Sequence, residues 1–157
     1  MKTQTFLCGL GALLIALALT SVGCGGDDYT GVGAYEGSLE LYNATNFGMT
    51  TNTRPGVITV TPASGDDPNA FIIGVDENCF VRATLSGTSL TVPNQTCEFS
   101  TARADDAWDY EGTGTLDEGQ MRLTLELSGT FVRTYTDNSG SPPLMGNHTL
   151  KFEGAQL

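Results

Sequence analysis

The stretch WDYEGTGTLDEGQMRLTLEL, residues 108–127, decides the fold class. Trp108, Tyr110, Gly112, Gly114 and Leu116 alternate with Asp109, Glu111, Thr113 and Thr115. Further on, Met121, Leu123, Leu125 and Leu127 alternate with Arg122, Thr124 and Glu126. A period of two sends successive side chains to opposite faces of an extended chain, so the stretch reads as two strands with one core face each. Asp117-Glu118-Gly119-Gln120 between them has the composition of a hairpin turn. Pairing Leu116 with Met121 sets Gly114 by Leu123, Gly112 by Leu125 and Tyr110 by Leu127, with every large residue on one face.

The same rhythm recurs on both sides. Tyr35, Gly37, Leu39 and Leu41 share a face, Val57–Thr61 and Phe71–Val75 are short apolar runs, Phe131, Arg133 and Tyr135 form a further strand, and Thr149–Phe152 form the last. Turn-like connections are expected at Asn43–Arg54, Pro62–Asn69, Thr101–Asp106 and Asp137–Asn147. No helical period appears after Gly33. The expectation is one all-β domain, residues 34–157, of eight or nine antiparallel strands in an up-and-down barrel, with a two-layer β-sandwich as the alternative. Inward glycines at 37, 112 and 114 favour the strong coiling of a barrel. Aromatic-Glu-Gly recurs at Tyr35, Tyr110 and Phe152, and Leu-Ser-Gly-Thr at Leu85 and Leu127. Such short echoes suit local bends better than a repeat.

Of four cysteines, Cys79 and Cys97 fall inside this domain. Ser86-Gly87-Thr88-Ser89 reads as a two-residue hairpin turn with Gly at its first central position. In that register Leu85 faces Leu90 and Ala83 faces Val92, while Cys79 faces Thr96, one short of Cys97. Pro93 has no N–H for a ladder, so a bulge near Pro93-Asn94 is expected, and its extra residue brings Cys97 opposite Cys79. The expected bridge closes a loop of about 18 residues, worth about 3 kcal/mol. Two inert thiols or a metal pair are the alternatives; without nearby His the spacing makes a poor zinc site.

The N-terminus differs in kind. A short polar start with Lys2 precedes the apolar run Phe6–Leu19, which is shorter than a membrane span and suits a signal-peptide core. Ser21-Val22-Gly23-Cys24 resembles the lipobox of bacterial lipoproteins: Val22, Gly23 and Cys24 match, and Ser21 stands where Leu is commonest. The resemblance covers residues 1–24 only. It implies lipidation of Cys24, cleavage after residue 23, and residues 24–33 as a lipidated tether, with Cys8 leaving with the leader. An ordinary secretory signal is the alternative. Gly25 directly after the Cys, where an Asp marks inner-membrane retention in enteric lipoproteins, points to the outer membrane. In its strand rhythm the domain resembles small lipocalin-like, calycin-type barrels.

Charge narrows the partners. The chain carries 7 Lys+Arg against 18 Asp+Glu, a net −11. So acidic a surface repels phosphates, and a nucleic-acid partner is excluded on that ground. His148 is the single histidine, and no nucleophile–base motif accompanies it; it reads as a surface or strand-edge residue. The acidic pairs Asp27-Asp28, Asp66-Asp67, Asp76-Glu77, Asp105-Asp106 and Asp117-Glu118 read as solvated turns, since none has the spacing of a calcium loop. Trp108, Tyr110, Tyr35 and Phe131 read as core or as the lining of an apolar pocket.

The sequence therefore singles out no catalytic, cofactor-binding or metal-binding residue. It leads to a non-enzymatic envelope lipoprotein with a structural or interaction role, monomeric and held to the membrane by its lipid. An envelope protein or a small apolar ligand is the possible partner, and a small apolar-ligand-binding barrel is the alternative function.

Overall fold

The computed structural model describes residues 31–65, 67–136 and 140–157. The leader, Cys24 and most of the expected tether, with Asp27, Asp28 and Asp66, lie outside them. Eight strands run in chain order around one closed antiparallel barrel: β1 Gly33–Thr45, β2 Gly48–Pro62, β3 Ala70–Asp76, β4 Cys79–Ser86, β5 Ser89–Ser100, β6 Ala104–Asp117, β7 Arg122–Tyr135 and β8 Leu144–Gln156. No helix occurs among the described residues. The barrel is thus the architecture, and the sandwich is not. β1 closes against β8, with Tyr35 opposite Gln156 and Asn43 opposite His148.

Alternation fills the interior. Tyr35, Leu39, Ile58, Val60, Ile73, Val81, Leu90, Leu116, Leu123, Leu127, Leu150 and Phe152 belong to one buried cluster. Gly37 and Gly154 pair across the β1–β8 seam, where a Cβ on Gly37 would strike the Glu153 carbonyl and the Gly154 Cα. Two of the three aromatic-Glu-Gly echoes are therefore neighbours at this close approach. Gly31–Gly33, read as the end of the tether, belong to the barrel: the Tyr35 hydroxyl donates to the Gly31 carbonyl at 2.8 Å, and Gln156 Nε2 donates to that of Val32 at 2.8 Å.

The Cys79–Cys97 disulfide is present, with Cα atoms 5.5 Å apart. Leu85 faces Leu90 as expected, Gly87 has φ of 60°, and the β5–β6 register slips by one residue between Val92 and Gln95, placing the bulge at Pro93-Asn94.

Three local expectations are corrected. In the β6–β7 hairpin Leu116 pairs with Leu123, not Met121, so Gly114 faces Leu125 and Gly112 faces Leu127. The loop spans Glu118–Met121, and Met121 sits in it at φ 52°, 59% exposed. A two-residue slip preserves the inward face, which is why the pattern could not tell the registers apart. Residues 122–135 form one strand rather than two, and Asn43–Arg54 is not a loop: β1 and β2 continue as a long hairpin arm, turning only at Asn46-Phe47.

Strand length shapes the two ends. β3 and β4 have 7 and 8 residues, while the other six have 12 to 15. The wall running from β5 round to β2 therefore rises above the Asp76–Cys79 turn. At that end the β1–β2 turn and the β5–β6 connection border a mouth.

Candidate ligand cleft at the barrel mouth

Toward the mouth the inward positions turn polar and aromatic. On β6 the series Tyr110, Trp108, Asp106 continues inward; on β7, Phe131 and Arg133; on β8, His148 and Gly146; on β1, Asn43 and Thr45. The register sets Trp108 against Phe131, Asp106 against Arg133, and Asn43 against His148.

His148 corrects its sequence reading. It is 1% exposed, inside the barrel rather than on a strand edge. Trp108, Tyr110 and Phe131 surround the imidazole with ring centroids 5.0, 4.6 and 6.4 Å away, while Trp108 and Phe131 stack at 4.5 Å. Imidazole Nε2 lies 2.7 Å from the Asp109 carbonyl oxygen, so it carries the proton and donates, and Nδ1 keeps the lone pair. That carbonyl is free because β6–β7 pairing runs from Trp108–Phe131 to Glu111–Ser128 and skips the residues between. Gly129 is required there, since a Cβ would strike the same carbonyl oxygen. Burial pushes the imidazole pKa below its ordinary value, keeping the ring neutral.

Asp106 is corrected likewise. Half of a supposedly solvated turn pair, it is 3% exposed and faces inward. Arg133 Nε and Nη2 donate to its two carboxylate oxygens at 2.7 and 2.8 Å, a bidentate pair that raises the guanidinium pKa. Asp105 stays exposed, and Asp76-Glu77 and Asp117-Glu118 sit at turns as expected. Asp109, on the outer face, accepts from the Thr96 and Thr130 hydroxyls at 2.7 Å each, and these bonds lower its pKa. Burial, with the Asp76 charge, pushes the Tyr110 phenol up to about 12. Tyr35 belongs to the opposite end of the core.

A cleft of about 500 Å³ opens at the mouth, lined by Asn43, Thr45, Thr50, Trp108, Phe131, Arg133 and Leu144, with Phe47 and Met49 of the arm at its edge. Three polar atoms buried around it have no hydrogen-bond partner among the described residues: Trp108 Nε1, Asn43 Oδ1 and His148 Nδ1. All three are buried out of reach of solvent, so they lie behind the wall of the cleft rather than open into it. Larger by a little, a groove of about 550 Å³ crosses the outer face of β5–β7 past Glu98, Asp105 and Val132, but no aromatic pair enters it. Among the described residues no group of three or more His, Cys, Asp or Glu could hold a metal.

Of the four aromatics expected together, Trp108, Tyr110 and Phe131 meet around His148 while Tyr35 lies at the other end of the barrel, and Asn43, Asp106, Arg133 and His148 are the unexpected neighbours. The signal was present: each continues the period-two inward series of its strand.

No family model matches the chain, and no curated protein matches it. Among solved structures it is similar to the crystal structure of a multidomain protein including DUF1735 from Bacteroides ovatus, with 11% identity and a TM-score of 0.37. The match covers 78% of this chain and 48% of that one, so the chain spans about half the length of the protein it matches.

Proposed function

We propose that this chain is a lipid-anchored, non-enzymatic binding domain of the bacterial cell envelope, which captures a small molecule in its mouth cleft. The observation that carries the binding half is the cleft of about 500 Å³ walled by the stacked Trp108–Phe131 pair. The barrel body is packed with side chains, so it acts as a rigid scaffold, and recognition falls to the mouth. The anchor half is supported by Val22-Gly23-Cys24 after an apolar leader. Gly31 lies at the end of the barrel opposite the mouth.

Among the described residues no nucleophile–base pair assembles in the cleft. His148 is its nearest base, but its Nε2 proton is committed to the Asp109 carbonyl and its ring is sealed among aromatics. These features favour binding over turnover.

Mass spectrometry of protein extracted from its native membrane tests both halves. The expected result is a chain beginning at an acylated Cys24, together with a small molecule released on unfolding. A Cys24→Ser chain that still fractionates with detergent would remove the anchor, and native protein that releases no small molecule would remove the ligand.

A further inference from the structure

The upper half of β2 is a strand edge with no neighbour among the described residues. β3 pairs with β2 only over Thr59–Pro62, so from Gly48 to Ile58 the far side of β2 carries no ladder. Gly48–Pro55 are exposed at inward and outward positions alike, whereas Ile58 and Val60 below them are buried. The Ala63 N–H donates to the Ala70 carbonyl across the β2–β3 seam at 2.8 Å. β2 runs up from there without a break in register, so alternation aims the N–H groups of Met49, Thr51, Thr53 and Val57 at the empty side. Pro55 shares that orientation and lacks an N–H, which costs the barrel no bond. A row of unpaired N–H and C=O groups is a template for another strand.

We propose that the strand it takes is the same edge of a second copy, antiparallel about a two-fold axis. Reciprocity comes first. With Asn52 opposite the partner's Asn52, Thr51 meets the partner's Thr53, and each N–H faces a carbonyl. Met49 donates to the partner's Pro55, whose missing N–H falls at the end of the ladder. Outward positions stay outward, and the pairing ends at Pro55, above the top of β3. Apolar surface comes second. Phe47 at the β1–β2 turn is exposed, as are Val57 and Phe80, which border a groove of about 410 Å³ beside Gly56. The same register carries the partner's Phe47 to that groove, and the two-fold axis repeats the contact. Charge comes third. Between Glu40 and Asp66 the chain has no acidic residue, and Arg54 is its one charge. In a chain of net −11 this is where two copies repel least, and a charged foreign strand finds a single charge to answer. The pair stands in place of the monomer expected from the sequence.

Asn52→Cys tests the register. Asn52 turns its own N–H to β1, and facing Cα atoms in such a non-hydrogen-bonded pair lie about 4.5 Å apart, within reach of a disulfide. The full chain in detergent is oxidised mildly and run without reductant, beside wild type and Thr59→Cys. Thr59 is exposed on the same strand but backed by β3. The expected result is a two-chain band for Asn52→Cys only. Native mass spectrometry, which strips the micelle, should show two chains for wild type. Asn52→Asp sets two carboxylates face to face and should weaken the pair at least tenfold with Tm unchanged. A single wild-type chain at every concentration, with no Asn52→Cys band, would overturn the proposal. A pair that survives Asn52→Asp and gives no Asn52→Cys band would place the interface elsewhere and overturn it as well. A cross-link from Asn52→Cys to a different protein would overturn the second copy as the occupant.

Discussion

The side chain of Gln95 takes the place of a missing ladder rung opposite Arg82. Its Oε1 accepts from the Arg82 N–H at 2.7 Å, and its Nε2 donates to the Arg82 carbonyl at 2.8 Å. Backbone pairing of β4 with β5 covers only Thr84–Ser86 against Ser89–Thr91, so the side-chain amide continues the seam where the ladder stops. Gln95→Ala should cost about 1–2 kcal/mol, less than a fully buried pair because water can reach the site. Hydrogen exchange at the Arg82 amide should speed up in the same variant.

The Cys79–Cys97 bridge fastens the same seam further along. With an 18-residue separation, its removal in Cys79→Ala/Cys97→Ala should destabilise the barrel by about 3 kcal/mol, read as a fall in Tm of about 3–5 °C per kcal/mol. Added to Gln95→Ala, the loss should be non-additive, since both act on one strand pair. Additive losses would mean that the two fasten independent parts.

Acid should loosen the mouth. The folded-state pKa of His148 lies below its ordinary value because burial disfavours the imidazolium. The unfolded chain therefore binds the proton first, and stability falls as pH drops below about 6.5. The pKa of Asp109 is also lowered, but its contribution is kept above the ordinary carboxylate range and is lost only as pH falls through its lowered value. The two windows open at different pH, that of His148 near 6.5 and that of Asp109 only below the ordinary carboxylate range. Thermal melts from pH 7.5 to 5 should show a falling Tm that His148→Gln flattens; an unchanged slope in that variant would assign the effect elsewhere.

Arg133→Ala strands a buried carboxylate. Asp106 is 3% exposed and holds both its oxygens on the guanidinium, so the variant should lose about 2–3 kcal/mol. Asp106→Asn, which keeps a hydrogen-bonding group of like shape, should lose less. A denaturant melt of the two variants ranks them directly.

The fold was legible because the barrel body obeys a strict period of two, and the site was obscured because it lies where that period changes chemistry. Tyr35, Gly37, Leu39 and Leu41 were read as an inward series that stopped before Asn43, though Asn43 and Thr45 continue it. The pattern places the last strand at Thr149–Phe152, just past His148, and starts the β6 series at Trp108, short of Asp106, yet both polar residues face inward. Treating polar residues as outward cut each strand short at the edge of the cleft. The register of the β6–β7 hairpin was ambiguous for a different reason: a slip of two leaves every side chain on its face, and only the left-handed backbone at Met121 separates the two pairings. The bulge and the disulfide were legible because Pro93 and the one-residue mismatch to Cys97 over-determined them. Leu85-Ser86-Gly87-Thr88 lies at a hairpin turn, while Leu127-Ser128-Gly129-Thr130 lies inside β7, so the same four residues serve two different local needs.

The central claim, that the mouth cleft is a ligand site, is tested most directly by the one indole N–H resonance of Trp108. Trp108 is the single tryptophan, so the ¹⁵N-labelled full chain gives one such cross-peak. The measurement is its position before and after addition of the small-molecule extract of the envelope from which the protein comes. The account predicts a saturable shift as a guest settles against the Trp108 ring. A cross-peak that stays in place, while the rest of the spectrum shows a folded barrel, would contradict it.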